Sequence, residues 1–182
     1  MLIRLLLAAA FALCFISVCD VVQQARAEES ENCKIADFFH PLPKVDLKAA
    51  KAFMSNVTYR NYSSGHGNQI EYASSNGRVY LWYPGNRIIL RGKWDLVVDQ
   101  FNTGFCIRKL ITLCFQYGPN SYNPVTHSHG DEWECNSFSR FQQSRAEVVP
   151  GDPLGLSKMR VPPFPLPRDD QTIAQIGARF AH

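Results

Sequence analysis

His127 and His129, one residue apart and followed by Asp131 and Glu132, come nearest to a metal motif in this sequence. On an extended segment the imidazoles at i and i+2 point the same way, and an adjacent carboxylate can add an oxygen ligand. His66 lies on another loop and could complete such a site only if the fold brought the two loops together. The competing reading is a polar loop carrying two solvated imidazoles, because the spacing fixes no third nitrogen ligand. His127, His129 and Asp131 are therefore candidates, and the sequence assigns no metal or other cofactor.

Other reactive types are present without the spacing that chemistry requires. Asp131, Glu132 and Glu134 cluster as a glycosidase pair would, yet acids on a loop rim are far more often a solvated face. Serines are scattered through turns, and no G-x-S-x-G elbow exposes one as a nucleophile. Cysteines that pair as disulfides cannot serve as thiolates. With no motif naming a reaction, the chain reads more readily as a binding protein than as an enzyme.

Aromatic residues offer a different kind of chemistry. Trp82, Trp94, Trp133, Tyr80, Tyr83, Tyr117 and Tyr122 lie in segments of alternating character, where successive side chains face opposite ways. Rings left outside, beside Asn120 and Asn123, would suit a carbohydrate, peptide or protein. The binding candidates are accordingly Tyr117, Asn120, Tyr122, Asn123 and Trp133. The plainer reading is that these rings fill the core of a small β domain.

The elements that would position these groups follow from pattern. Asp46 is a good N-cap for a short helix over Leu47 to Met54, with Leu47, Ala50 and Phe53 or Met54 on one face. The period then changes to two. Strands are expected around Val57 to Tyr62, Ile70 to Ala73, Val79 to Tyr83 and Arg87 to Val98, the last bent at Gly92. Turn chemistry separates them, with Asn76-Gly77 and Pro84-Gly85-Asn86 the strongest signals. Cys106 to Tyr117 adds one or two strands and Glu132 to Phe138 another. The fold class is mainly β, an antiparallel meander of five to eight strands forming a small sheet or partly closed barrel. Residues 118–131 are too rich in glycine, proline and asparagine for regular structure, and so long a loop is usually functional or mobile. Prolines punctuate the chain from Pro150, before a short helix over about Asp170 to Ala178 with Ile173 and Ile176 inward.

The N-terminus follows the order of a secretory signal. Arg4 supplies the positive charge, Leu5 to Val18 is an uncharged run of about 14 residues, and Ala25-Arg26-Ala27 fits the small-x-small cleavage pattern. That run is shorter than the ~20 residues needed to span a bilayer, so no stable membrane span is expected after cleavage. The organisation read from sequence is a signal peptide at 1–27, an extended arm at 28–45, a disulfide-stapled β domain at 46–149 and a proline-rich extension with a short helix at 150–182. Losing Arg4, Arg26 and Asp20 from 19 basic and 16 acidic residues leaves 17 and 15. So small an excess gives no reason to expect a nucleic-acid partner. Asn56-Val57-Thr58 and Asn61-Tyr62-Ser63 fit the glycosylation sequon, which matters only in a eukaryotic source.

Four cysteines remain after cleavage: Cys33, Cys106, Cys114 and Cys135. In an oxidising compartment they read as two disulfides, with three connectivities possible. The favoured pairing is Cys114–Cys135, closing the 118–131 loop, with Cys33–Cys106 pinning the arm to the sheet. Structural zinc is the rival, but no C-x-x-C pair supports it.

The stretch Asn76-Gly77-Arg78-Val79-Tyr80-Leu81-Trp82-Tyr83-Pro84-Gly85-Asn86, continued by Arg91-Gly92-Lys93-Trp94-Asp95 and Cys114-Phe115, resembles a group of small exported bacterial proteins of unknown function. The shared layout is a tyrosine, a proline–glycine turn, glycine–x–tryptophan and a downstream cysteine, over roughly residues 46 to 138. Pro84 stands where the group usually carries an aspartate. The resemblance implies a periplasmic β-rich domain and no activity. The expectation is a periplasmic or secreted binding domain whose partner is an envelope protein or glycan. The alternative is a metal-handling or hydrolytic protein using His127, His129 and Asp131.

Overall fold

The computed structural model describes residues 23, 33, 46–102, 107–123, 127 and 129–181. Apart from Gln23 and Cys33, the expected signal peptide and arm lie outside the described residues, as does Cys106 and with it the Cys33–Cys106 bridge. Cys33 has a helical backbone, not the extended one expected there. Pro41 and Pro43 lie downstream of it, and proline restricts only its near neighbours. The chain divides into two compact units, one of Met1–Lys44 with Gln100–Lys109 and one of Val45–Asp99 with Leu110–His182. The features that follow lie in the second, apart from residues 100–102 and 107–109 at two strand ends. Among the described residues no helix is long and apolar enough to cross a membrane.

Helix α1, Leu47–Met54, starts where the Asp46 carboxylate accepts the Ala49 N–H at 2.9 Å. That bond satisfies one of the donors every helix leaves open at its first turn. Ala50 and Met54, four residues apart, are its buried stripe. The strands are β1 (Val57–Ser63), β2 (Gly67–Ala73), β3 (Arg78–Trp82), β4 (Leu90–Asn102), β5 (Ile107–Tyr117), β6 (Glu134–Ser137) and β7 (Arg145–Pro150). Helix α2, Phe138–Ser144, separates the last two, and α3, Ile173–Ala178, follows β7. The strands form one antiparallel sheet in the order β6-β5-β4-β3-β2-β1-β7, curled into a half-barrel.

The turns explain how the meander is set. After Ala73, the Ser74 N–H donates to the Arg78 carbonyl at 2.9 Å and Gly77 sits at φ +79°. This is the left-handed position that a three-residue hairpin loop reserves for glycine. Tyr83-Pro84-Gly85-Asn86 closes by a bond from the Asn86 N–H to the Tyr83 carbonyl, with Gly85 at φ +87°. Proline second and left-handed glycine third is the requirement of a type II turn. Gly92 is needed for a different reason. A Cβ there would lie 2.4 Å from the Gln116 carbonyl oxygen, so only glycine lets the end of β5 come this close.

Alternation along the strands gives the sheet two apolar faces. On one, Tyr59, Ala73, Val79, Trp94, Leu96 and Leu113 pack with Ala50 and Met54 of α1 and Phe138 of α2. On the other, Ile70 and Trp82 pack under Leu154, Leu156, Leu166, Ile173 and Ile176. Residues 154–180, proline-punctuated as the sequence shows, are thus a strap laid across the sheet. Burying a side chain of this size stabilises by about 1.5–3 kcal/mol, so both covers count.

Polar groups clamp the strap. Buried Arg60 reaches Asp170 Oδ1 at 2.5 Å, Asn68 Oδ1 at 3.0 Å and Glu147 Oε2 at 3.4 Å. Asn68 in turn donates to the carbonyls of Pro167 and Asp169. The second Glu147 contact is to the Ile173 N–H at 2.8 Å, and a Thr172–Gln175 capping box opens α3. Cys114 and Cys135 are directly opposed on β5 and β6 and form a disulfide.

Candidate functional site

The strap covers β1 to β3 and stops at β4. Its edge there is marked by a bond from the Ile89 N–H to the Arg160 carbonyl at 2.9 Å, with Arg91 Nη2 lying 3.5 Å from the Met159 carbonyl. Beyond that edge the described residues leave the sheet face uncovered. Arg78 pairs with Lys93 and Tyr80 with Arg91 across β3 and β4, which puts all three cations on this open face. A cleft of about 660 Å³ runs beside them, walled on the far side by Gln116, Tyr117 and Trp133. It adjoins a second of about 490 Å³, lined by Ile88, Asn120, Ser121 and Arg160 among others. Arg91 and Gly118 line both clefts, so the two form one groove.

The groove carries an excess of positive charge, with Arg78, Arg91, Lys93 and Arg160 in its lining against the single acid Asp95. Arg78, Arg91 and Lys93 are exposed and form no ion pair with a described carboxylate. Arg91 lies over the Tyr80 ring at 5.8 Å, a contact that holds the guanidinium without neutralising it. Asp95, the acid lining the first cleft, turns Oδ1 to the Leu96 N–H at 2.8 Å. Like charges directly opposite on paired strands cost stability, so Arg78 facing Lys93 is an unfavourable arrangement for the fold alone.

A buried carboxylate stands behind this wall. Glu71, in β2, has the same facing as Ala73 and is placed among the apolar side chains under α1 and α2. Tyr59 donates to its Oε2 and Tyr117 to its Oε1. Burial raises the Glu71 carboxyl to about 7, although both phenol bonds favour the charged form and pull it down. Burial and the nearby Glu71 charge push both phenols up, with Arg145 partly offsetting this at Tyr59. The Arg145 guanidinium sits 4.0 Å from the Phe53 ring centre and 4.9 Å from that of Phe141, and its own burial makes it a weaker base.

The sequence-derived candidates scatter along the groove and the adjoining loop. Tyr117 and Trp133 line the first cleft and Asn120 the second, and Trp133 is 47% exposed. Tyr122 is also exposed and pairs with His129 in an isolated bridge. Asn123 Nδ2 lies 3.4 Å from Glu134 Oε2. The loop is tied back by the Gly130 N–H to the Ser121 carbonyl and by Gln116 Nε2 to the Asp131 carbonyl at 2.9 Å.

The histidine pair differs from the expectation. His127 is in the left-handed region at φ +61°, so the backbone at that position is not extended. Instead Tyr122 lies between their reach: its hydroxyl is 2.6 Å from His127 Nδ1, and its ring centre is 5.4 Å from that of His129. Among the described residues no three of His, Cys, Asp and Glu gather in a metal-holding group.

Sequence reasoning missed the cations and Glu71. Thirteen positions separate Arg78 from Arg91, and only strand register brings them together. Glu71 carried no signal, because between Ile70 and Tyr72 it reads as the outward residue of an alternating strand, and only cover on both faces of β2 buries it. Compared with protein-family models, curated proteins and solved structures, the chain matches none.

Proposed function

We propose that the protein is an exported, non-enzymatic binding domain that holds an anionic component of the cell envelope in the groove along Arg78, Arg91 and Lys93. The observation that carries this is the set of three exposed cations on one sheet face, unpaired by any described carboxylate and bordered by Trp133. Uncompensated charge of one sign concentrates ligands of the other and speeds their capture. Export rests on the Arg4 to Ala27 signal pattern and fits the Cys114–Cys135 disulfide, since such bonds persist where the surroundings oxidise.

Two measurements test the reading. Mass analysis of protein recovered from intact cells should give a chain beginning at Glu28, released by opening the envelope. Sedimentation with washed envelope fragments should retain the native protein at low salt and release it as salt rises. The variant Arg91→Glu/Lys93→Glu should remain in solution with an unchanged circular-dichroism spectrum. A chain still beginning at Met1 in the cytoplasm, or equal retention of the variant, refutes the proposal.

A further inference from the structure

Resting on that reading, we infer that the groove takes a linear acidic polysaccharide, with sugar carboxylates or sulfates on the cations and a ring face against Trp133. Three features select this class. The first is shape. Two adjoining clefts sharing Arg91 and Gly118 make a trough and not a cup, with Arg160 carrying positive charge into the second. A trough suits a chain ligand better than a single anion.

The second feature is spacing. Arg91 and Lys93 are two residues apart on one face of β4, roughly 6.7 Å at the rise of a strand. Arg78 sits across from Lys93, about 5 Å away between strand partners. Charges recur at intervals comparable to one sugar unit, so successive acidic rings can each meet a cation. The third is the lining. Asn76, Gln116 and Asn120 border the clefts with amides, which both donate to and accept from hydroxyls. Trp133, nearly half exposed, presents an amphipathic ring to the apolar face of a sugar.

An acidic peptide is the closest rival, and the sheet disfavours it. β3 and β4 are interior strands whose backbone groups face paired neighbours, so an extended peptide cannot add itself as a strand here. Single-stranded nucleic acid is held by successive aromatic stacking platforms, and Trp133 is the one ring in the described groove lining that is exposed.

Titration calorimetry on the mature chain can separate these. The probes are a uronic-acid hexasaccharide, a neutral hexasaccharide, hexaglutamate and a thymidine hexanucleotide. The expected result is binding of the acidic sugar that weakens with salt, with each other probe at least tenfold weaker. Trp133→Ala should weaken the acidic sugar about tenfold while keeping the native circular-dichroism spectrum. Arg91→Glu/Lys93→Glu should abolish binding. If hexaglutamate or the hexanucleotide binds as tightly and Trp133→Ala changes nothing, the polysaccharide inference fails while the anion groove stands. Equal binding of the neutral sugar removes the role of charge. No binding of any polyanion overturns both.

Discussion

Replacing Glu71 by glutamine tests the buried carboxyl directly. In the folded chain this group holds its proton up to about pH 7, whereas an unhindered glutamate releases it near 4.5. Between those values the folded state binds a proton that the unfolded state has lost. Unfolding therefore becomes easier as pH rises, and stability present below 4.5 is lost progressively up to and through 7. A shift of this size corresponds to about 3 kcal/mol, at ~1.4 kcal/mol per unit. Against a total of roughly 5–15 kcal/mol for a domain, that is a large fraction. Urea unfolding of the native protein and of Glu71→Gln, run from pH 4.5 to 8, isolates the contribution, because every other titrating group is common to both. The difference between the two curves should grow by about 3 kcal/mol in favour of the variant as pH rises. Superimposable pH profiles would refute the reasoning, and so would a native protein that gains stability relative to the variant.

Further outcomes follow from the packing. Arg60→Ala removes a buried guanidinium and strands the Asn68 carbonyl, and should lower urea-derived stability by about 2 kcal/mol while freeing residues 167–170 to a protease. Gly92→Ala forces a methyl against the Gln116 carbonyl, and a loss of about 1–3 kcal/mol is expected by thermal melt. Replacing Cys114 and Cys135 together by alanine opens a 21-residue separation and should cost about 3 kcal/mol, measured against native protein kept oxidised. Ile176→Ala uncovers Trp82 and should both destabilise by about 2–5 kcal/mol and shift tryptophan emission.

Local signals carried much of the fold. Asp46 ahead of a helical stripe marks α1 to the residue, and the Asn76-Gly77 and Pro84-Gly85 turns mark the strand boundaries around β3. The Cys114–Cys135 bridge follows the loop it was expected to close. Helix α2 and β7 were not legible. Phe138–Ser144 is only two turns long and lacks a side-chain cap of the kind Thr172 gives α3, and tertiary contacts of Phe138 and Phe141 hold it. β7 is an edge strand whose pairing with β1 depends on a return across the whole sheet, which no local pattern encodes. The groove was illegible for the same reason. Trp133 and Asn120 could be picked out by type, but the cations opposite them are assembled by register alone.

The strap places a condition on the order of events as the chain emerges. Residues 154–180 come after all seven strands, yet Ile70 and Trp82 have no dry surroundings until that segment arrives. A nascent chain halted after β7 would expose an aromatic slab to whatever is nearby. Escorting proteins would have most to do in that interval, and a premature stop codon in this region would yield a sticky fragment rather than a smaller working domain.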